Sequence, residues 1–151
     1  YSSAERLCKV WPHRFKTVAD AQPYARNPRA LAENVYLDAN RGKGYKLGNE
    51  TPQDASTFIG RGFMQLTGKS NYRRFAAGMG LPEVMTDPSL VETDYAFETA
   101  MFFFEDNNLF KICDQGVDVD TIEIITKKVN GGFHGLQDRI DWTNKVYNWL
   151  T

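Results

Sequence analysis

Gly60-Arg61-Gly62-Phe63-Met64-Gln65-Leu66-Thr67-Gly68-Lys69-Ser70-Asn71-Tyr72 is the stretch on which the reading of this chain turns. Two glycines flank an arginine, which permits torsions or close approaches that a side chain forbids. The run that follows mixes Phe63, Met64 and Leu66 with Gln65 and Thr67. If it is extended, its side chains alternate between faces. Gln65 and Thr67 then share one face, and Met64 and Leu66 share the other. One face feeds a core, while the other offers an amide and a hydroxyl to a cleft. Asn71 and Tyr72 come at the start of a helix. A plain reading of the same residues is a turn, a short strand and a helix with no chemistry attached. Gly68-Lys69-Ser70 matches the end of a phosphate-binding loop, but the position that needs the first glycine is Phe63. Gly62 is one residue out of register, and nucleotide binding is rejected on that spacing.

Working outward, 151 residues suit one compact domain, with enough apolar material (42%) for a core. The net charge of -1 gives no basic field for nucleic acid or an anionic membrane. No apolar run is long enough to span a bilayer. The first residues, Tyr1-Ser2-Ser3-Ala4-Glu5, are neither a signal peptide nor an initiator methionine. The expectation is a chain that starts after processing or is a piece of something longer. Cys8 and Cys113 read as two buried thiols, and sequence does not show whether they pair. No cysteine or histidine pair has metal-ligand spacing, and Asp114, Asp118 and Asp120 do not fit a calcium loop. No metal and no cofactor are expected.

Hydrophobic periodicity predicts a mainly α fold with a small extended element near 59–66. Ser2 or Ser3 caps a first helix over 4–10, which Pro12 stops. A helical turn is expected near 18–21. Asn27-Pro28 opens a helix to about residue 40. Residues 41–57 carry Gly42, Gly44, Gly48 and Pro52 without apolar periodicity and read as a long functional loop holding Glu50. A helix over 71–79 ends at Gly80. Another over 92–106 is apolar nearly all round and reads as a central buried helix. Asp120 is expected to cap a helix to 129, and a last helix covers 136–150.

Between those last two helices lies Val129-Asn130-Gly131-Gly132-Phe133-His134-Gly135-Leu136-Gln137-Asp138-Arg139. Three glycines in five residues exceed what a helix stop needs and allow close backbone approach to a ligand. A helix cap followed by a surface arginine explains the stretch equally well.

The first stretch through Asn71-Tyr72, and Asn130-Gly131-Gly132 followed by Asp138-Arg139, together resemble the family 19 glycoside hydrolases. That family includes chitinases and the related bacterial and phage peptidoglycan hydrolases. Residues 1–15 and Tyr24-Ala25-Arg26-Asn27-Pro28 are similar to the bacterial and phage branch, the endolysins. The resemblance covers nearly the whole chain. It implies a lysozyme-like, two-lobed helical domain over 1–151 that acts as a monomer on cell-wall polysaccharide. The implied reaction is inverting hydrolysis of β-1,4 bonds between N-acetylated sugars, on peptidoglycan or chitin. Two carboxyl groups perform it, one protonating the leaving oxygen and one activating a water.

By the same resemblance, Glu50 is the general base, on a loop expected to be mobile and to fold over the cleft. Thr67 helps to hold the water. Arg61, Gln65, Asn71, Asn130 and Arg139 bind sugar, with Tyr72 in support, and their side chains are expected to converge on one cleft. The family's general acid is a glutamate in a His-Glu-Ser or His-Glu-Thr motif, which is absent here. Glu5 and Glu33 lie in no matching context. The chain is therefore expected either to begin after its acid or to be a non-catalytic glycan-binding or inhibitory relative. If a segment is missing, an apolar groove is expected where a helix belongs.

Overall fold

A computed structural model describes residues 3–151. Tyr1 and Ser2, with the expected capping role of Ser2, lie outside the described residues. Within them the chain forms ten α-helices: α1 (Ala4–Val10), α2 (Val18–Ala21), α3 (Pro28–Tyr36), α4 (Pro52–Thr57), α5 (Lys69–Met79), α6 (Leu90–Thr93), α7 (Glu98–Asp106), α8 (Phe110–Cys113), α9 (Val119–Asn130) and α10 (Leu136–Leu150). The mainly α class is borne out and is consistent with a lysozyme-like helical fold. Among the described residues no helix is long and apolar enough to cross a membrane. The chain divides into two compact units, Tyr1–Ala100 and Met101–Thr151.

The first unit begins with α1, capped by Ser3, whose hydroxyl accepts from the Arg6 amide. Thr17 and Asp20 form a reciprocal capping box on α2. Leu7, Phe15, Ala21, Leu31 and Val35 gather into a buried cluster with Trp11, Tyr24 and Tyr36 packed on it. Both α1 and α3 thus bury one apolar stripe each. Cys8 is a half-buried free thiol that donates to the Thr17 carbonyl. Asn27 caps α3, which stops at Tyr36 because Leu37 turns extended, and a 3₁₀ turn takes Asp38–Asn40. The helix expected to residue 40 is thus cut one turn short.

Residues 41–57 are not the open loop that their glycines suggest. A 3₁₀ turn occupies Lys43–Tyr45, and α4 starts at Pro52 behind a capping box of Thr51 and Asp54. The segment between is tied down. Asp38 accepts from the amides of Leu47 (2.7 Å) and Gly48 (3.0 Å). Asn49 is fully buried, donating to the Tyr36 carbonyl and accepting from the Lys69 amide. The Ser70 amide donates to Leu47. These last two bonds cap α5 from outside its own sequence. The helix therefore starts at Lys69, two residues before the expected start, with no side-chain cap from Gly68. It ends at a left-handed Gly80, as its sequence implies.

The extended element near 59–66 reduces to one antiparallel bridge between Arg61 and Leu66, closing a turn over 62–65. The single long helix expected over 92–106 is also corrected. It is broken into α6 and α7 by a non-helical segment around residues 94–97. Phe97 and Met101 are exposed, and Thr99 is the buried residue of α7. The break turns Phe97 outward, so the aromatic run does not make a central buried helix.

In the second unit, α9 packs on α8 and on α10. Ile122, Thr121 and Thr126 are buried, and Phe104 and Phe110 meet with ring centroids 5.6 Å apart. Asp118 caps α9, through the Thr121 amide and hydroxyl. The expected cap, Asp120, lies inside the first turn, because the extended backbone of a cap falls at 118. Gly131 ends α9 in the left-handed conformation, and α10 has the predicted limits. Cys113 is a half-buried free thiol.

Candidate functional site

The turn over 61–66 is built as a closed hydrogen-bonded unit. Arg61 and Leu66 exchange both backbone bonds, at 3.2 and 2.8 Å. The Gln65 amide closes on the Gly62 carbonyl at 3.1 Å, and Gln65 itself takes φ +50. Gly62 has φ +71, and a Cβ there would lie 2.6 Å from Thr99, so the bare backbone seats against that buried threonine. Thr99 Oγ1 accepts from the Met64 amide (3.3 Å) and donates to the Ala96 carbonyl (2.7 Å), while the Phe63 amide donates to Ala96 (3.1 Å). Thr99 is therefore a second anchor of the turn. Its position inside an apolar run gives no local signal of that role.

Arg61 does not reach outward. Its Nη1 donates to the Thr57 carbonyl (2.9 Å) and to the Tyr72 hydroxyl (3.1 Å), and its Nε lies 3.9 Å from Glu92 Oε2. Tyr72 is fully buried and donates to the Ile59 carbonyl at 2.8 Å. Burial pushes its phenol pKa up, against the opposing pull of the Arg61 hydrogen bond. Tyr72 is thus placed to hold the turn and not to touch a ligand. The Arg61 Nη1 hydrogen bonds serve the same end.

Gln65 and Thr67 do come together. A Cβ at Gly60 would sit 3.0 Å from both Gln65 Oε1 and Thr67 Oγ1, so the two side-chain oxygens converge over one bare Cα. Most of the donors in this cluster are spent locally. Gln65 Nε2 donates to Gly62 (3.3 Å), the Thr67 hydroxyl to the Gln65 carbonyl (2.8 Å), and Asn71 Nδ2 to the Thr67 carbonyl (2.8 Å). What the cluster has left to offer is chiefly acceptors. Gln65 and Thr67 line a groove of about 420 Å³ whose walls include Trp11, Tyr24, Leu31 and Val35. Among the described residues no carboxylate lines it.

Glu50 is exposed and lies outside that lining. The loop before it is held by Asp38 and Asn49, so its attachment is firmer than its glycines suggest. Asn130 and Arg139 belong to the second unit, on either side of the junction between α9 and α10. Asn130 is exposed, and its Nδ2 donates to the His134 carbonyl at 2.7 Å.

No protein-family model matches the chain. A curated protein of Haemophilus influenzae (strain ATCC 51907 / DSM 11121 / KW20 / Rd) does, under the name glycosyl hydrolase family 19 domain-containing protein. It is 30% identical over 135 residues, which cover 88% of this chain and 60% of the relative. The likeness to glycosyl hydrolase family 19 holds. The family 19 likeness runs through most of the chain, so it is not confined to the 60–72 stretch. The chain spans 60% of the length of this family 19 relative.

Proposed function

We propose that this chain is a family 19-type glycan domain that binds β-1,4-linked N-acetylglucosamine polymer and serves its hydrolysis with inversion. The observation that carries this reading is the convergence of Gln65 Oε1 and Thr67 Oγ1 over Gly60 in the lining of the groove. Two acceptors there suit a ligand rich in hydroxyl and acetamido N–H donors. A water held by donating its proton to Thr67 keeps a lone pair free for attack on the anomeric carbon. In this reading Asn71, Asn130 and Arg139 bind further sugar groups, and Glu50 takes the proton from the water. Arg61 and Tyr72 act through the turn that they hold. The polymer is bacterial peptidoglycan, the monomeric domain acts at the cell wall, and chitin oligosaccharides are the soluble surrogate.

A second reading, a glycan-binding domain without turnover, is favoured by the absence, among the described residues, of any carboxylate from the groove lining. Lack of a general acid costs a factor of roughly 10²–10⁴. In this second reading sugar is bound without useful turnover.

Calorimetry with chitin oligosaccharides, followed by anomer-resolved NMR of any product, tests both readings. Binding that Gln65→Ala weakens supports the site. Robust lysis of cell walls by this chain would refute the acid-free account, and absence of binding would refute the glycan reading. Glu50→Gln, made where turnover is measurable, should lower turnover and leave affinity nearly unchanged. Unchanged turnover removes Glu50 from the mechanism.

A further inference from the structure

Gln65 and Gly60 line a second hollow besides the groove. It is a recess of about 250 Å³ against the turn, bounded by Arg61, Phe63, Gln65, Glu92 and Ala96. Phe63 is 71% exposed and Phe97 is 59% exposed, although both are large apolar residues. Their rings meet edge to face, with centroids 6.4 Å apart and planes at 86°. This is not a loose flap. The Phe63 amide is bonded to Ala96, and the Met64 amide to the buried Thr99. The fold thus presents the exposed Phe63 ring at a polar recess, with the Phe97 ring packed edge-on against it. Apolar surface rimmed by polar groups marks a place where something binds.

The chemistry of the recess narrows what that is. It has one cation and one anion, Arg61 and Glu92, lying 3.9 Å apart. Their charges cancel, which disfavours a phosphate or a free carboxylate and suits a neutral polar ligand. The backbone amides of Arg61, Phe63, Met64, Gln65 and Leu66 are all bonded within the unit. No free strand edge is left there for a peptide to pair with. An exposed ring, a mostly exposed carboxylate and an amide remain. The C–H face of a pyranose is drawn to the negative face of an aromatic ring. Its hydroxyls can donate to Glu92 and Gln65.

We propose that this recess is a further sugar site, taking one hexosamine residue stacked on Phe63. Gln65 is then shared, and a long oligosaccharide places sugars in both the groove and the recess. The inference rests on the glycan reading above and adds to it a dependence on chain length. A disaccharide fills the groove alone, whereas a hexasaccharide engages both hollows.

Calorimetry with the di- and hexasaccharides of N-acetylglucosamine tests this on the chain as it stands. Phe63→Ala should weaken the hexasaccharide about tenfold and change the disaccharide less than twofold. Phe63→Tyr should restore the hexasaccharide, and Glu92→Gln should weaken it without touching the disaccharide. Gln65→Ala should weaken both. Phe63 is so exposed that its truncation should leave the melting temperature unchanged, and Phe97→Ala gives a second, independent perturbation of the Phe63 ring. If the unaltered chain binds both sugars and Phe63→Ala and Phe97→Ala leave their ratio intact, the recess is not a sugar site and the groove reading survives. If the unaltered chain binds neither, both readings fall.

Discussion

Replacing Tyr72 by phenylalanine removes a single oxygen and tests whether the turn is held as described. The hydroxyl donates to the Ile59 carbonyl at 2.8 Å and accepts from Arg61 Nη1 at 3.1 Å. The ring stays, and with it the edge contact to Phe58 at 5.2 Å. The cost is therefore polar and not a cavity. A neutral hydrogen bond contributes about 1 kcal/mol and one to a charged group about 1.5–3 kcal/mol. Arg61 keeps its bond to the Thr57 carbonyl at 2.9 Å, which softens the second loss. We expect roughly 2–3 kcal/mol in all. For a chain of this size each kcal/mol lowers the melting temperature by roughly 2–4 °C. Urea unfolding should show the midpoint fall with its slope unchanged. The phenol pKa is raised in the fold, chiefly by burial. This stabilisation is thus fully present below the ordinary phenol pKa of about 10 and is lost as pH rises through the folded value. Sugar affinity should fall too, although Tyr72 is buried away from any ligand. A stability change below about 0.5 kcal/mol would refute the view that this hydroxyl anchors the turn.

Two further perturbations probe the frame around the site. Asp54 accepts from Lys69 Nζ at 2.8 Å and from the Thr51 amide at 3.2 Å. Burial raises its pKa, but those bonds together outweigh it and hold the carboxyl below its ordinary value. Its contribution is present above the ordinary carboxylate range and is lost as pH falls through the depressed folded value. The stability gap between the unaltered chain and Asp54→Asn, followed by denaturant melts from pH 7 to pH 2, should narrow as the solution is acidified. A gap independent of pH would show that the ion pair contributes nothing. Gly48 has φ +76, and a Cβ there would meet Ser70 Oγ at 2.0 Å. Gly48→Ala should cost roughly 1–3 kcal/mol, whereas Gly44→Ala, with nothing within 4 Å of its Cβ, should stay within about 0.5 kcal/mol. Equal melting temperatures for the two variants would contradict the close packing of the loop on α5.

The helices that sequence makes legible are those whose signals are local. Ser3, Asn27 and Gly80 act as caps where their residue types imply, and the apolar stripe of 136–150 gives α10 with its limits. What was hidden depends on partners distant in sequence. The start of α5 is set by Asn49 and Leu47, about twenty residues away. The outward turn of Phe97 depends on the break after α6. The capping box Thr51-Pro52-Gln53-Asp54 was readable, but it was masked by the glycines before it. At the site, the alternation that put Gln65 and Thr67 on one face gives the right outcome by a different route. A turn with φ +50 at Gln65, not an extended strand, brings their oxygens together over Gly60. The inward role of Arg61 could not be read from a glycine-flanked arginine, because its partners are a backbone carbonyl and a buried phenol.

The direction of the hydrogen bonds in the turn separates two tasks that a hydrolase must join. Thr67, Asn71 and Gln65 each spend a donor on a local backbone carbonyl. Their remaining acceptors can fix a sugar or orient a water, since both arrive with protons to give. An acceptor of this kind neither removes a proton from water nor supplies one to a leaving oxygen; that work needs carboxyl groups of suitable pKa. Among the described residues no carboxylate lines the groove, and Glu50 is exposed outside that lining. In the proposed reading, recognition and proton transfer are thus assigned to different residues, Gln65 and Thr67 for the first and carboxyl groups for the second. That reading predicts that the groove and turn bind polymer without help from a carboxyl group. It likewise predicts that turnover, where it is measured, depends on carboxyl groups outside the described lining, Glu50 among them. Loss of either group should therefore reduce turnover without reducing affinity, whereas loss of Gln65 or of its anchors should reduce affinity first.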